Sequence, residues 1–291
     1  MKRVVFSVYI DLSEYDDEPY AKDHFSKIKK YHNIIWRNQE DYAWKCDANY
    51  VIINRDAPWY DELYQKLKNI NPEITHYQAI NNFKILCLDK LKYDYDEILY
   101  LDSDVIVNTD ENIFEEFDLS KGICLAPQKF YTPKEWKDTQ YTFKAAMKLY
   151  LDPDSKYILP WMPSSRSPVT KYVIAKELLN KDMDPEIWNT GIIAINRDHV
   201  NKLDYFGDYF WPMCKDLVWK RTMGKYGKND IKQNFSINNE SIITYLTYSK
   251  NINVHIMDDN WHHIYDQQRT GDLNSEARMI HVINKRFEDV L

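Results

Sequence analysis

The stretch Glu97 to Asp110, EILYLDSDVIVNTD, constrains the fold of this chain more than any other. An apolar, β-favouring run from Ile98 to Leu101 breaks for two carboxylates, Asp102 and Asp104, and resumes as Val105 to Val107. Burying either charge alone is expensive, so both must face water, a cationic side chain or a metal. The flanking pattern says what kind of sheet the run enters. RVVFSVYI and ANYVIINR read as strands, and helical spacing follows each, in AKDHFSKIKKYHNIIW and then in YDELYQKLKNI and HYQAINNFKILCLDKLKY. EILYLDSDVIV reads as a third strand and GICLAP as a fourth; WNTGIIAINRDHV is another buried strand, and NNESIITYLTYS is helical. Strands alternating with helices predict an α/β fold, a mostly parallel sheet with helices on both faces.

In such a sheet, ligands bind beyond the carboxyl ends of the strands. Asp-x-Asp also occurs at Asp94/Asp96, Asp152/Asp154 and Asp182/Asp184, in polar or turn-like surroundings where exposed acids are ordinary. Only Asp102 and Asp104 close a strongly apolar strand. Extended alternation predicts both on one side with Ser103 pointing away. Two converging carboxylates repel unless a cation lies beside them. A hard divalent ion, Mn²⁺ or Mg²⁺, suits oxygen ligands and leaves positions for water and phosphate.

The rest of the composition narrows the class. At 291 residues the chain can form one large domain spanning 1–291, and its net charge of -7 argues against a nucleic-acid partner. Cys46, Cys87, Cys124 and Cys214 are too scattered for a zinc cluster or a disulfide framework. The basic start is too short in apolar residues for a signal peptide, and no run approaches membrane-spanning length, so a cytoplasmic protein is expected. Six glycines supply neither GxGxxG nor a P-loop. Prolines and aromatics from 128 to 171 read either as an insertion over the acceptor side of a site or as a decorative loop. The basic segment KRTMGKYGKNDIKQN reads either as a loop closing on phosphates or as a solvated surface. Adjacent His262 and His263 point to opposite sides of an extended chain, which argues against zinc there.

Together, YDEILYLDSDVIVNTD, the preceding NNFKILCLDKLKYDYDE, the later WNTGIIAIN and the final MIHVINK resemble, in order, the motifs of GT-A glycosyltransferases using nucleotide-sugar donors. The likeness is to the family 8-like group that includes glycogenin and bacterial galactosyl- and glucosyltransferases. It implies a metal site of Asp102, Asp104 and His281 holding Mn²⁺ or Mg²⁺, with Lys84 and Lys285 against the donor diphosphate. Val8, Tyr9, Ile10 and Asp11 would bind base and ribose, and Ser103, Asn189, Thr190, Gly191 and Asn239 would also contact the donor. Asn189 and Glu240 would join the two aspartates in catalysis. The implied reaction moves a hexose from a nucleotide sugar, UDP by family analogy, to a glycan or glycoprotein acceptor, with retention of configuration.

Two positions depart from that pattern. Asn284 stands where the family usually has glycine, with Lys285 directly after it. Asn239 and Glu240 replace the usual Asp-Gln that opens the helix after the NTG strand. An inverting enzyme would need a base, which Glu186, Asp184 or Glu240 could supply. A sugar nucleotidyltransferase would show a Gly-rich basic segment after the first strand, and IDLSEYDDEPY has none. A noncatalytic carbohydrate-binding module built on the aromatic surface is the reading from another class.

Overall fold

The computed structural model describes residues 1–15, 19–72, 74–128, 171, 173–208, 210–212, 239–267 and 271–291. The first strand, β1 (Arg3–Val8), is buried along nearly all its length and pairs in parallel with β2 (Asn49–Ile53) on one side and β3 (Glu97–Leu101) on the other. Between β1 and β2 runs α1 (Pro19–Lys45); α2 (Trp59–Ile70) and α3 (His76–Leu91) precede β3. A capping box starts α3: the Thr75 side chain accepts from Gln78 N, and the Gln78 side chain accepts from Thr75 N.

Past β3 the chain makes the short strand β4 (Val105–Val107), the single turn α4 (Ile113–Glu116) and β5 (Ile123–Pro127). Among the described residues, the later strands and α-helices are β6 (Trp188–Asn196), α5 (Arg197–Leu203), α6 (Asn239–Ser249), β7 (Val254–Ile256), β8 (His263–Tyr265) and β9 (Met279–Val282). The main sheet has the order β2-β1-β3-β6-β5-β7. Among the described strands only β6 is reversed, antiparallel to both β3 and β5, so the expected mostly parallel sheet is present. Its side chains alternate between two cores. Ile98 and Tyr100 face the layer containing α2, α3 and α6, whereas Leu99 and Leu101 face Val105, Trp261 and Met279.

One local expectation is corrected. Residues 97–107 are not a single strand: β3 ends at Leu101, a turn closes with Val105 N donating to the Asp102 carbonyl at 3.0 Å, and β4 joins a second sheet of order β4-β9-β8. The two carboxylates therefore converge through a turn between sheets, not through strand alternation. Burying a charge in mid-strand would leave it against apolar neighbours, and the turn lifts both groups to the sheet end. Cys46, Cys87 and Cys124 are buried free thiols. The predicted insertion at 128–171, apart from Gln128 and Lys171, and the basic segment at 220–234 lie outside the described residues. Among the described residues, no helix is long and apolar enough to cross a membrane.

Candidate active site

Topology brings three distant segments to the carboxyl end of β3. Because β6 runs antiparallel to β3, its beginning lies beside the turn, and Asp102 N donates to the Gly191 carbonyl at 2.8 Å. Because β9 pairs with β4, His281 lies opposite Val105, and Val282 N donates to the Asp104 carbonyl at 2.9 Å. His281 Nε2 is then 3.5 Å from Asp102 Oδ2 and 3.4 Å from Asp104 Oδ1. One ligand atom from each of the three residues lies within 4.8 Å of the others. Two carboxylate oxygens and one imidazole nitrogen suit Mn²⁺ or Mg²⁺, with Mn²⁺ the better match to the nitrogen.

Each aspartate also has its own lysine. Lys84, on α3, is only 3% exposed and places Nζ 3.2 Å from Asp102 Oδ1 and over the Tyr100 ring, 5.0 Å from its centroid. Tyr100 also donates its hydroxyl to Asp102. Burial, followed by the Asp102 charge, pushes the Tyr100 phenol well above its ordinary range, so it stays a donor. Lys285 pairs with Asp104 Oδ2. Burial opposes ionisation of Asp104, but the charge of Lys285 and contact with His281 outweigh it and hold its carboxyl far below the usual carboxylate range. Lys285 has φ 58°, the left-handed region that a residue with a Cβ rarely adopts, at a cost of order 1–3 kcal/mol. His24 on α1 lies close enough to feel both charges; burial first, then Lys285, pulls its pKa down to about 4, leaving it neutral at pH 7.

The start of β6 is anchored by α6. Trp188 donates its backbone N–H to Thr244 Oγ1 at 3.0 Å and its indole N–H to Thr247 Oγ1 at 3.1 Å. That anchorage sets Asn239 Nδ2 2.7 Å from Thr190 Oγ1 and Glu240 Oε1 3.4 Å from Asn189 Nδ2. The Asn189 amide also donates to Gln128 Oε1 at 2.7 Å, and its oxygen accepts from Gly191 N at 2.8 Å. Asp184 and Glu186 lie 3.2 and 3.8 Å from Lys171 Nζ.

Of the segment expected to hold base and ribose, Val8 and Ile10 turn their side chains into the core, at 4% and 1% exposure, so a ligand there would meet their backbone. Tyr9 is half-buried against Phe25, His32 and Trp36. Asp11 accepts from Ser13 and pairs with Lys29 at 2.6 Å. Ser103 is buried within the turn between the aspartates.

Sequence reasoning missed the residue that holds this turn. Gln39, fully buried on α1, donates from Nε2 to the Asp102 carbonyl at 3.1 Å and the Val105 carbonyl at 2.8 Å, the two ends of the turn. Its Oε1 accepts from Tyr50 OH at 2.9 Å, and Ser7 Oγ lies 2.5 Å from it and 2.8 Å from the Leu101 carbonyl. Both halves of the amide are used. Gln39→Leu should lower the unfolding free energy by about 2–3 kcal/mol, because buried carbonyls and hydroxyls lose partners. Urea denaturation checks this, and a loss below about 0.5 kcal/mol would mean that water replaces the amide.

No protein-family model matches the chain, and neither does any curated protein sequence. Solved structures do. The chain is similar to mouse xyloside xylosyltransferase 1 in its apo form, with TM-score 0.50 and 10% identity over 97% of this chain and 98% of that one. It is also similar to the apo WbbM bifunctional glycosyltransferase, with TM-score 0.50 and 14% identity over 97% of this chain and 45% of that one. This chain thus spans less than half of the second protein. At such identities the likeness concerns the fold: this is the α/β architecture found in these glycosyltransferases.

Proposed function

We propose that the chain is a metal-dependent glycosyltransferase that moves a hexose from a nucleotide diphosphate sugar to a glycan or glycoprotein acceptor. The observation carrying this reading is the convergence of Asp102, Asp104 and His281, flanked by Lys84 and Lys285, at the carboxyl end of the central strand. Asp102, Asp104 and His281 would hold the cation. Mn²⁺ or Mg²⁺ bound there supplies positive charge close to where the leaving diphosphate accumulates negative charge. Lys84 and Lys285 add two ammonium groups at the same edge, in low-exposure positions where such charges act more strongly than in water.

Asn189 and Thr190, braced by Gln128, Glu240 and Asn239, would hydrogen-bond the donor sugar, and the backbone around Tyr9 and Asp11 would receive base and ribose. Uridine is the base that the family likeness suggests. Retention fits a site in which the departing phosphate accepts the acceptor's proton, so that no carboxylate need serve as base. Glu240 is the carboxylate best placed for the inverting alternative, since it touches Asn189, whereas Asp184 and Glu186 face Lys171.

A panel of nucleotide sugars with Mn²⁺, read as donor hydrolysis or transfer, tests the reading. Activity with at least one donor is expected, lost on adding EDTA and restored by excess Mn²⁺. Sugar binding indifferent to EDTA, with no affinity for any nucleotide, would favour the noncatalytic module instead. The anomeric configuration of the product, read by NMR, decides between retention and inversion.

A further inference from the structure

We infer that Tyr100 is a positioning residue: its hydroxyl tethers Asp102 Oδ1, so that Oδ2 is the oxygen of that carboxylate turned toward His281 and the cation. This deepens the metal reading above and rests on it for its purpose. The two aspartates are held in different ways. The Asp104 side chain is 5% exposed, with His281 on Oδ1 and Lys285 on Oδ2, so packing and charge fix it. The Asp102 side chain is 23% exposed at the end of β3, where packing alone leaves its carboxylate free to turn.

Three groups meet the Asp102 carboxylate, and they divide unevenly between its oxygens. Tyr100 donates its hydroxyl to Oδ1. Lys84 Nζ lies 3.2 Å from Oδ1 and 3.5 Å from Oδ2. His281 Nε2 lies 3.5 Å from Oδ2. Oδ1 is therefore the tethered oxygen, and Oδ2 the one beside the imidazole.

The tether is firm because its base is. Tyr100 is 2% exposed, and its backbone is paired on both sides, opposite Phe6 of β1 and Ile193 of β6. Its ring lies 5.0 Å from the Phe6 ring, with Lys84 Nζ 5.0 Å from its centroid. Residues two apart along extended chain project from the same face about 6.6 Å apart, a span that a tyrosine crosses and a serine or threonine does not. Phenylalanine would fill this core as well, and a buried hydroxyl without a partner is costly. The hydroxyl of Tyr100 is thus accounted for by the carboxylate it meets, and a hydrogen bond to an ionised acceptor is the stronger kind. Groups that hydrogen-bond a ligating carboxylate orient it, and their loss weakens metal binding about 10–100-fold.

Calorimetric titration with Mn²⁺ alone compares the wild type with Tyr100→Phe and Tyr205→Phe. Tyr205 is the control: it belongs to the same core, is 4% exposed and donates its hydroxyl to Asn82 Oδ1 at 2.8 Å, so its loss also removes a buried hydroxyl. Tyr100→Phe should bind Mn²⁺ about 10–100-fold more weakly, and Tyr205→Phe as the wild type does. Wild-type affinity in Tyr100→Phe, or the same loss in both variants, would overturn the inference. A second measurement needs no metal. Tyr100→Phe should lower the thermal unfolding midpoint of the wild-type chain but not that of Asp102→Ala, where the hydroxyl has already lost its acceptor. Equal drops in the two backgrounds would also overturn it, and should Asp102→Ala not fold, the Mn²⁺ comparison decides alone. A wild-type chain that binds no Mn²⁺ would sink the metal reading and this role together, whereas a wild-type chain that binds it no better than Tyr100→Phe sinks this role only.

Discussion

Asp104→Asn is expected to lower transfer by on the order of 10²-fold or more, with little change in fold, because it removes a charge from the centre of the site. The substitution keeps shape and volume but replaces an anionic oxygen by an NH₂ group. Both oxygens of Asp104 are engaged, Oδ1 with His281 Nε2 at 3.4 Å and Oδ2 with Lys285, so the new donor meets another donor or a cation whichever way the amide turns. The Lys285 ammonium, whose side chain is 12% exposed, loses its counter-charge and must swing outward. Asp102→Asn should be milder for stability, since the Asp102 side chain is 23% exposed against 5% for Asp104. Donor turnover, Mn²⁺ titration and thermal unfolding separate these effects. Wild-type turnover in the variant lacking both carboxylates would remove these residues from the reaction.

Some of this site was legible in the sequence, and the rest was hidden for identifiable reasons. Asp102 and Asp104 stood out because an apolar strand rarely ends in two charges, and the structure does set them at the end of β3 beside His281. The route by which they converge was not legible. Val105 to Val107 are as β-favouring as Ile98 to Leu101, so periodicity joined them into one strand, and only pairing with β9, some 170 residues later, takes them into another sheet. The resemblance named Lys84, but no local signal announced its burial, and only packing sets it on Tyr100 and Asp102. Gln39 sits among Arg37, Asn38, Glu40 and Asp41 on a helix, where a glutamine looks solvated; its role depends on β1, β2 and the turn arriving from elsewhere. Adjacency alone indicated that His262 and His263 diverge, which holds, but it could not say that His262 meets a ring 19 residues away. Local chemistry showed in the pattern; contacts between distant segments were reached only through the resemblance, as for His281, or not at all, as for Gln39.

Gly191→Ala is expected to be nearly as damaging to Mn²⁺ binding and transfer as loss of His281 itself. A Cβ at position 191 would lie 2.2 Å from His281 Cε1, 2.4 Å from Nδ1 and 3.1 Å from Asn189 Oδ1. No real contact survives at such distances, so something must move. The backbone of β6 is held on both sides by β3 and β5, whereas the imidazole can rotate about its own side-chain bonds; the ring should yield. Rotation takes Nε2 away from the carboxylates and Nδ1 away from His262, while overpacking costs about 1–3 kcal/mol. The requirement for glycine is thus one of close approach, and it couples the NTG segment of β6 to the histidine of β9. A double-mutant cycle isolates that coupling. In a His281→Ala background the new methyl group has space, so Gly191→Ala should cost little further stability and no further Mn²⁺ affinity, and the two changes should be far from additive. Additive losses would mean that the alanine acts through the β6 backbone or Asn189, leaving the imidazole where it is.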